Sequence, residues 1–325
     1  MVKSISLRIK QAMNKLGLHS SAMLILLLLI VIGMSVRSPY FLTAGNFEVI
    51  MSSFVLEAIM AIGLTFVIIS GGIDLSVSAV LPITAILVAL LITSGVPVVW
   101  SILIVLVISI GIGLFNACLK IVLNVHPFIA TLAMQLTLRG LALVISKGAN
   151  VSGFPTTFTS LGQGRFLGIL IPIWIFAALI IVFGYLLKHH QFFQQVYFIG
   201  WDPNAARVSG IKVNRFTLFV FAFSSLLAGL AGIIAAAQYG AAHNSFGLGS
   251  ELKVITAVAI GGTSMVRGGS GTMFGTFLGI MFMAILNNAF MMSGISTYWQ
   301  DVVTGIMLLV AILLAESLKS KKLKV

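Results

Sequence analysis
The chain is built from long apolar runs separated by short polar and glycine-rich breaks. The stretch Leu24-Ile25-Leu26-Leu27-Leu28-Leu29-Ile30-Val31-Ile32 is apolar at every position. It lacks both the two-residue alternation of a membrane strand and the one-sided stripe of a soluble helix. About 20 apolar residues in helical form cross a hydrocarbon core about 30 Å thick. The pattern predicts ten such segments, at 19–36, 47–69, 73–93, 98–119, 126–146, 169–187, 215–237, 251–265, 271–291 and 297–315. The expected fold is an all-α polytopic membrane protein with about ten transmembrane helices. Residues 1–18 form a short N-terminal segment, 19–315 a single transmembrane domain and 316–325 a basic tail. Lys3, Arg8, Lys10 and Lys15 precede the first span, as in a secretory leader. Arg37, Ser38 and Pro39 follow it where a leader has a small-residue cleavage site, so the span is read as a retained helix.

Composition agrees with the pattern. Of 325 residues, 59% are hydrophobic and 8% charged, and mean hydropathy is +1.16. A soluble domain carries about 25% charged residues and cannot hide this much apolar surface. That excludes a soluble enzyme, a disordered chain and a DNA-binding domain. The net charge of +12 is explained by where the charges fall. With ten spans and the N-terminus inside, inner segments collect Lys3, Arg8, Lys10, Lys15, Lys120, Lys188, Arg207, Lys212, Arg215, Arg267, Lys319, Lys321, Lys322 and Lys324. Outer segments hold Arg37, Lys147, Arg165 and Lys253, and Arg139 lies within a span. The positive-inside rule thus places both termini in the cytoplasm, and the basic balance needs no nucleic-acid partner. The one cysteine, Cys118, excludes a disulfide framework and a cysteine-ligated zinc site.

Two breaks share the pattern Gly-x-[Asp/Glu]-Leu-x-Val: Ser70-Gly71-Gly72-Ile73-Asp74-Leu75-Ser76-Val77 and Gly247-Leu248-Gly249-Ser250-Glu251-Leu252-Lys253-Val254. The first falls at an inner end and the second at an outer end. This is the layout of an inverted repeat relating segments 2–5 to segments 7–10. Acidic residues opening a helix are favoured by its dipole, so capping is the stronger reading of Asp74 and Glu251 than substrate contact. A third glycine-rich turn, 261–271, lacks the Gly-Lys-Ser/Thr ending and the preceding strand of a nucleotide loop, and it is read as close packing and tight re-entry. The outer loop 147–168 is rich in Gly, Ser, Thr and Pro. In the inner loop 188–214, Asp202-Pro203 opens and Gly210 stops a short amphipathic surface helix.

Charges inside a bilayer are costly and each needs a reason. Glu57 lies about 15 Å and Arg139 roughly 10 Å from the outer ends of their spans by helix rise, so an ion pair between them is expected. The alternatives are outward snorkelling for Arg139 and a protonated, hydrogen-bonded carboxyl for Glu57. Asp301 opens the last span. Amides Asn116, Asn124, Gln135, Asn287, Asn288 and Gln300 are candidates either to line a polar pathway or to bind helices together. The histidines lack metal-ligand spacing, and no nucleophile–base set or carboxylate pair emerges, so no catalysis and no resident cofactor is expected.

These motifs, together with Gly200–Ile211, Gly261-Gly262-Thr263-Ser264 and Gly275-Thr276, resemble the signature of ribose/galactose/xylose-type permeases of bacterial ABC importers. The likeness runs from about residue 40 to 315. It implies a monosaccharide permease in the bacterial cytoplasmic membrane. Two identical or homologous permease subunits would form the pathway. A cytoplasmic ABC ATPase would hold ATP and magnesium, and an extracytoplasmic sugar-binding protein would deliver substrate. It makes Asp202, Pro203, Asn204, Ala205, Ala206, Arg207 and Gly210 the ATPase-coupling element. Glu57, Asp74, Asn124, Arg139, Glu251 and Asn287 become pathway or gating candidates. The chain departs from the family pattern at Lys253 (usually acidic), Ser78 (usually Gly), Glu57 (usually small or amide) and Gln194-Gln195 (usually basic). The main rival is an ion-coupled secondary transporter with Glu57 as proton site, which would also show inverted repeats. A membrane scaffold or intramembrane enzyme is disfavoured by the broken helices and by the missing nucleophile–base set.

Overall fold
A computed structural model of the chain describes residues 18–265, 268–296 and 298–322. Lys3, Arg8, Lys10, Lys15, Arg267 and Lys324 lie outside them, as does nearly all of the expected N-terminal segment. The helices run in the order α1 (Leu18–Arg37), α2 (Ala44–Ile69), α3 (Val77–Thr93), α4 (Val98–Val122), α5 (Pro127–Ser146), α6 (Thr156–Gln163) and α7 (Ile171–His189). They continue with α8 (Gln191–Trp201), α9 (Pro203–Val208), α10 (Val213–Tyr239), α11 (Ser250–Ile260), α12 (Met273–Met292) and α13 (Tyr298–Lys322). Each expected apolar segment coincides with a helix. Among the described residues six of these, α2, α4, α5, α7, α10 and α12, are long and apolar enough to cross a membrane.

Two helices are shorter than their apolar runs. The third segment is expected from residue 73, but α3 starts at Val77. Gly71 has φ +77°, and the Asp74 carboxylate takes the Ser76 amide, a local bond that competes with helix formation. The eighth segment is expected to reach 265, but α11 has 11 residues and ends at Ile260, where Gly261 and Gly262 turn the chain. A Cβ on Gly261 would collide with the backbone of Gly275, and one on Gly279 with the Ala257 carbonyl. Small residues here let α11 and α12 touch backbone to backbone.

The centre of the molecule is the pair α2 and α10, whose most apolar windows are 78% and 72% buried; those of α4, α5 and α7 are 22%, 28% and 17% buried. The pairing of helices repeats. α2 packs on α11 and α12 as α10 packs on α3 and α4; α3 touches α4 and α5 as α11 touches α12 and α13. Close approach again depends on glycine: a Cβ on Gly63 of α2 would lie 2.8 Å from the Ser224 Cα of α10. Between α5 and α7, α6 and two short antiparallel pairs fold the 147–170 loop. β1 (Val151–Ser152) pairs with β4 (Ala241–Ala242), and β2 (Arg165–Phe166) with β3 (Ile169–Leu170). Arg165 adds a bidentate ion pair to Glu48 at the start of α2, with Nη2–Oε1 at 2.6 Å.

Candidate functional site
The first break is held from three sides. Asp74 is fully buried, and its carboxylate accepts from the Ser76 amide (3.0 Å), the Ser76 hydroxyl (2.6 Å) and the Ser224 hydroxyl of α10 (3.2 Å). Asn116 of α4 donates to the Ser76 Oγ at 2.8 Å. Thr131 of α5 donates to the Ile73 carbonyl (3.3 Å) and accepts from the Leu75 amide (3.2 Å). Gln135 of α5 donates to the Ser78 Oγ at 3.1 Å. Non-helical backbone at this depth is tolerated only when its polar groups are satisfied by neighbouring protein. Three helices supply that. Asp74 therefore organises the break; it binds Ser76, the N-cap residue of α3, and Ser224 rather than the first-turn amides of the helix.

The second break meets the first at Arg139. Its Nη2 donates to the carbonyls of Gly247 (2.7 Å) and Ser78 (3.2 Å), and its Nη1 to that of Phe246 (3.4 Å). One guanidinium on α5 thus joins the first turn of α3 to the segment leading into α11. Gly247 has φ +67°, and a Cβ there would sit 2.6 Å from the Ser78 carbonyl oxygen, so the two segments touch. The N-termini of two short helices, each the positive end of a dipole, converge beside them.

Charged groups gather around the start of α11. The Ser250 hydroxyl donates to Glu57 Oε1 of α2 at 3.4 Å. Lys253 lies within electrostatic reach of Glu57 and forms an ion pair with Asp301 of α13 at 3.7 Å. Glu251 lies within electrostatic reach of Arg139, and its Oε2 is buried without a hydrogen-bond partner among the described residues. The expected Glu57–Arg139 ion pair does not form. The guanidinium is engaged by three carbonyls, and Glu57 faces Ser250 and Lys253 instead. The structure sets Glu251 within electrostatic reach of Arg139 and Glu57 against Ser250 and Lys253, at the two ends of one short segment, while Asp74 is held by Ser76 and Ser224; Asn124 and Asn287 join neither group. Asn124 is an exposed turn residue with φ +51° between α4 and α5. Asn287 is partly buried on α12, and its neighbour Asn288 makes the helix contact: Asn288 and Asn46 of α2 exchange amide hydrogen bonds at 2.8 and 3.1 Å. Sequence reasoning missed Thr131, Ser224, Ser250 and Asn46. Hydroxyls and one amide in apolar runs give little signal until their partners are known. Among the described residues no group of three His, Cys, Asp or Glu side chains is placed to hold a metal.

A second candidate surface lies at the basic end. Asp202 caps α9, accepting from the amides of Asn204 (2.8 Å) and Ala205 (3.1 Å). Pro203 occupies the first turn, and Gly210, with φ +83°, ends the helix region. Arg207 donates to Asn204 Oδ1 at 3.1 Å and lies within electrostatic reach of Lys120 at the end of α4. Only Ala206 of α9 is buried; Val208 and the flanking Trp201 and Phe198 are exposed. This projecting element is fixed to the interior through α8. Gly200 packs directly on the Ile69 carbonyl at the end of α2 and on the Gly269 amide. The Gly269 N–H donates to the Ile69 carbonyl at 2.7 Å, and the Tyr197 hydroxyl to that of Gly271 at 2.9 Å. Burial pushes the Tyr197 pKa up, which keeps this hydroxyl a donor. A continuous packed path thus runs from α9 through Gly200 to Ile69, five residues before Asp74.

Comparison with known proteins gives a consistent answer. Residues 46–312 match the family model described as branched-chain amino acid transport system / permease component. The chain is 36% identical over 304 residues to the ribose import permease protein RbsC of Escherichia coli (strain K12), covering 92% of this chain and 94% of the relative. It is 38% identical over 290 residues to the ribose import permease protein RbsC of Bacillus subtilis (strain 168), covering 89% and 90%. It is 33% identical over 291 residues to the D-allose transport system permease protein AlsC of Escherichia coli (strain K12), covering 89% of each chain. No solved structure matches the chain.

Proposed function
The chain belongs to the family of branched-chain amino acid transport system / permease components, and from that premise we propose that it is the membrane subunit of an ATP-driven importer of a monosaccharide or related small polar solute. The observation that carries this reading is the 36–38% identity to ribose import permeases over about nine-tenths of each chain. In this reading the ten apolar segments form the bundle that crosses the bacterial cytoplasmic membrane, with both termini inside, and the short α3 and α11 cross together with the non-helical segments beside them. Helices α2–α5 and α10–α13 are inverted repeats, and a second permease subunit completes the pathway. A cytoplasmic ABC ATPase docks on Asp202, Pro203, Asn204, Ala205, Ala206, Arg207 and Gly210. It binds ATP and magnesium, while this chain carries no covalent chemistry. An extracytoplasmic sugar-binding protein delivers the solute to the opposite end.

The packing supports a mechanism for this reading. Closure of the ATPase displaces α9, and α8 transmits the movement because Gly200 and Tyr197 leave no slack against Ile69 and the 268–271 turn. The first break then moves relative to α10, and Arg139 passes the shift to the second break. Two breaks joined by one side chain form the element whose two arrangements open the pathway inward or outward. Glu57, Glu251 and Ser250 supply hydrogen-bond acceptors and a donor near that junction, where solute hydroxyls would exchange partners. The test is affinity isolation of the chain with its neighbours and identification of the ATPase and binding protein, followed by thermal-shift screening of that binding protein against pentoses and hexoses. The reading expects an ABC ATPase in the isolate and stabilisation of the binding protein by a sugar; isolation without any ATPase counts against it.

A further inference from the structure
A large cavity lies away from the junction of the breaks. It is a groove of about 1040 Å³ between α7 and α12, closed at its basic end by α8. Its walls are Ile173, Ala177 and Ile180 of α7 and Phe274 and Phe277 of α12, with Met51 of α2 at its floor. It exists because α7 presents small residues, Ala177 and Gly184, toward α12; Gly184 has only Met273 beside it, at 3.4 Å from a built Cβ. From Ile173 to Lys188 the groove follows α7 for about 22 Å by helix rise. That is long enough to take a complete acyl chain entering from one leaflet of a core about 30 Å thick.

The mouth of the groove is polar on one end only. Lys188, Gln194, Tyr197 and Thr272 rim it at the basic end. The Gln194 amide is spent on the Lys188 carbonyl (2.6 Å) and the Tyr197 hydroxyl on Gly271. Lys188 is exposed and has no acidic partner among the described residues. An apolar slot capped by one unpaired cation is the shape and charge of an anionic phospholipid, tails inward and phosphate at the rim. A second copy of this chain fits less well. Related by a two-fold axis along the membrane normal, it would bring another basic rim to the same level rather than a negative charge.

We propose that the α7–α12 groove is a binding site for an anionic phospholipid of the cytoplasmic leaflet, with its phosphate on Lys188. The topology used here rests on the transporter reading, but the site itself does not. The lipid lies against Met273 and Tyr197, at the joint between α8 and the start of α12. Bound lipid therefore braces the path that connects α9 to the breaks.

The experiment is native mass spectrometry of the full chain released from detergent after equilibration with dioleoyl phosphatidylglycerol or dioleoyl phosphatidylcholine. The expected result is several-fold greater retention of phosphatidylglycerol. Lys188→Gln should abolish that preference and Lys188→Arg should keep it. Ala177→Phe, which fills the slot, should reduce retention of both lipids. Equal retention of the two lipids by the native chain, or an unchanged preference in Lys188→Gln, would overturn the proposal. So would Ala177→Phe dissociating a dimer while lipid retention stays intact, which would make the groove a contact between copies. Lipid retention is read without ATP or sugar, so failure here is separable from failure of the transport reading.

Discussion

Replacing Arg139 by Met tests whether one side chain holds the two breaks together. Met keeps an unbranched apolar stem, though a shorter one, and removes every donor. Three carbonyls lose their partner: Gly247 at 2.7 Å, Ser78 at 3.2 Å and Phe246 at 3.4 Å. A hydrogen bond from a charged donor contributes about 1.5–3 kcal/mol. Polar contacts between membrane helices average about 0.6 kcal/mol. We take the short bond at about 2 kcal/mol and each longer one at about 0.5 kcal/mol, giving about 3 kcal/mol. Arg139 is only partly buried, so water replaces some of this. The expected loss is roughly 2 kcal/mol, or a fall in Tm of about 3 °C. The assay is thermal unfolding in detergent followed by tryptophan fluorescence. Arg139→Lys should recover about half of the loss, because an ammonium keeps the charge but not the fork that reaches several carbonyls. A Tm within about 1 °C of the native value for Arg139→Met, with normal solute uptake, would refute the bridge.

Three further outcomes are expected. Gly200→Ala should place a methyl against the Ile69 carbonyl and the Gly269 amide. At an overpacking cost of about 1–3 kcal/mol it should separate ATP hydrolysis from uptake in a reconstituted transporter. Normal coupling would break the path from α9. Asn46→Leu and Asn288→Leu should each cost about 1 kcal/mol, and the double variant less than their sum; a double-mutant cycle with no coupling energy would show that the reciprocal amide pair does not tie α2 to α12. Arg207→Glu should lower solute-stimulated ATP hydrolysis while membrane insertion, checked by fractionation, is unchanged. Unaltered transport in that variant removes α9 as the docking element.

The sequence discloses elements better than contacts. The ten apolar runs are visible because a bilayer selects for length and hydrophobicity, and each coincides with a helix. The cap at Asp202 and the stop at Gly210 are also legible, since both act within a few residues of themselves. What fails is anything set by a partner distant in sequence. Depth along two helices places Glu57 and Arg139 at similar levels, but depth does not fix which way each helix is turned. The packing of Gly247 against Ser78 gives Arg139 three carbonyls instead of a carboxylate. Asn124 is polar in an apolar neighbourhood for a local reason, a left-handed turn. Asn287 and Asn288 are indistinguishable by composition, and only the rotation of α12 against α2 assigns the pairing to Asn288. The early end of α11 has the same origin. Residues 261–265 are Gly-Gly-Thr-Ser-Met, a weak continuation of a helix, and the backbone contact between Gly261 and Gly275 fixes the turn there.

The central claim is that ATP hydrolysis by a partner drives solute through this chain. Its direct test is uptake of radiolabelled ribose and other monosaccharides into proteoliposomes. These hold the chain with its isolated ATPase, the binding protein outside and ATP with magnesium inside. The account predicts accumulation of at least one sugar that stops when ATP is replaced by a non-hydrolysable analogue and is indifferent to an imposed proton gradient. Accumulation by the chain alone, driven by a proton gradient and lost in Glu57→Gln, would contradict it and establish the ion-coupled alternative.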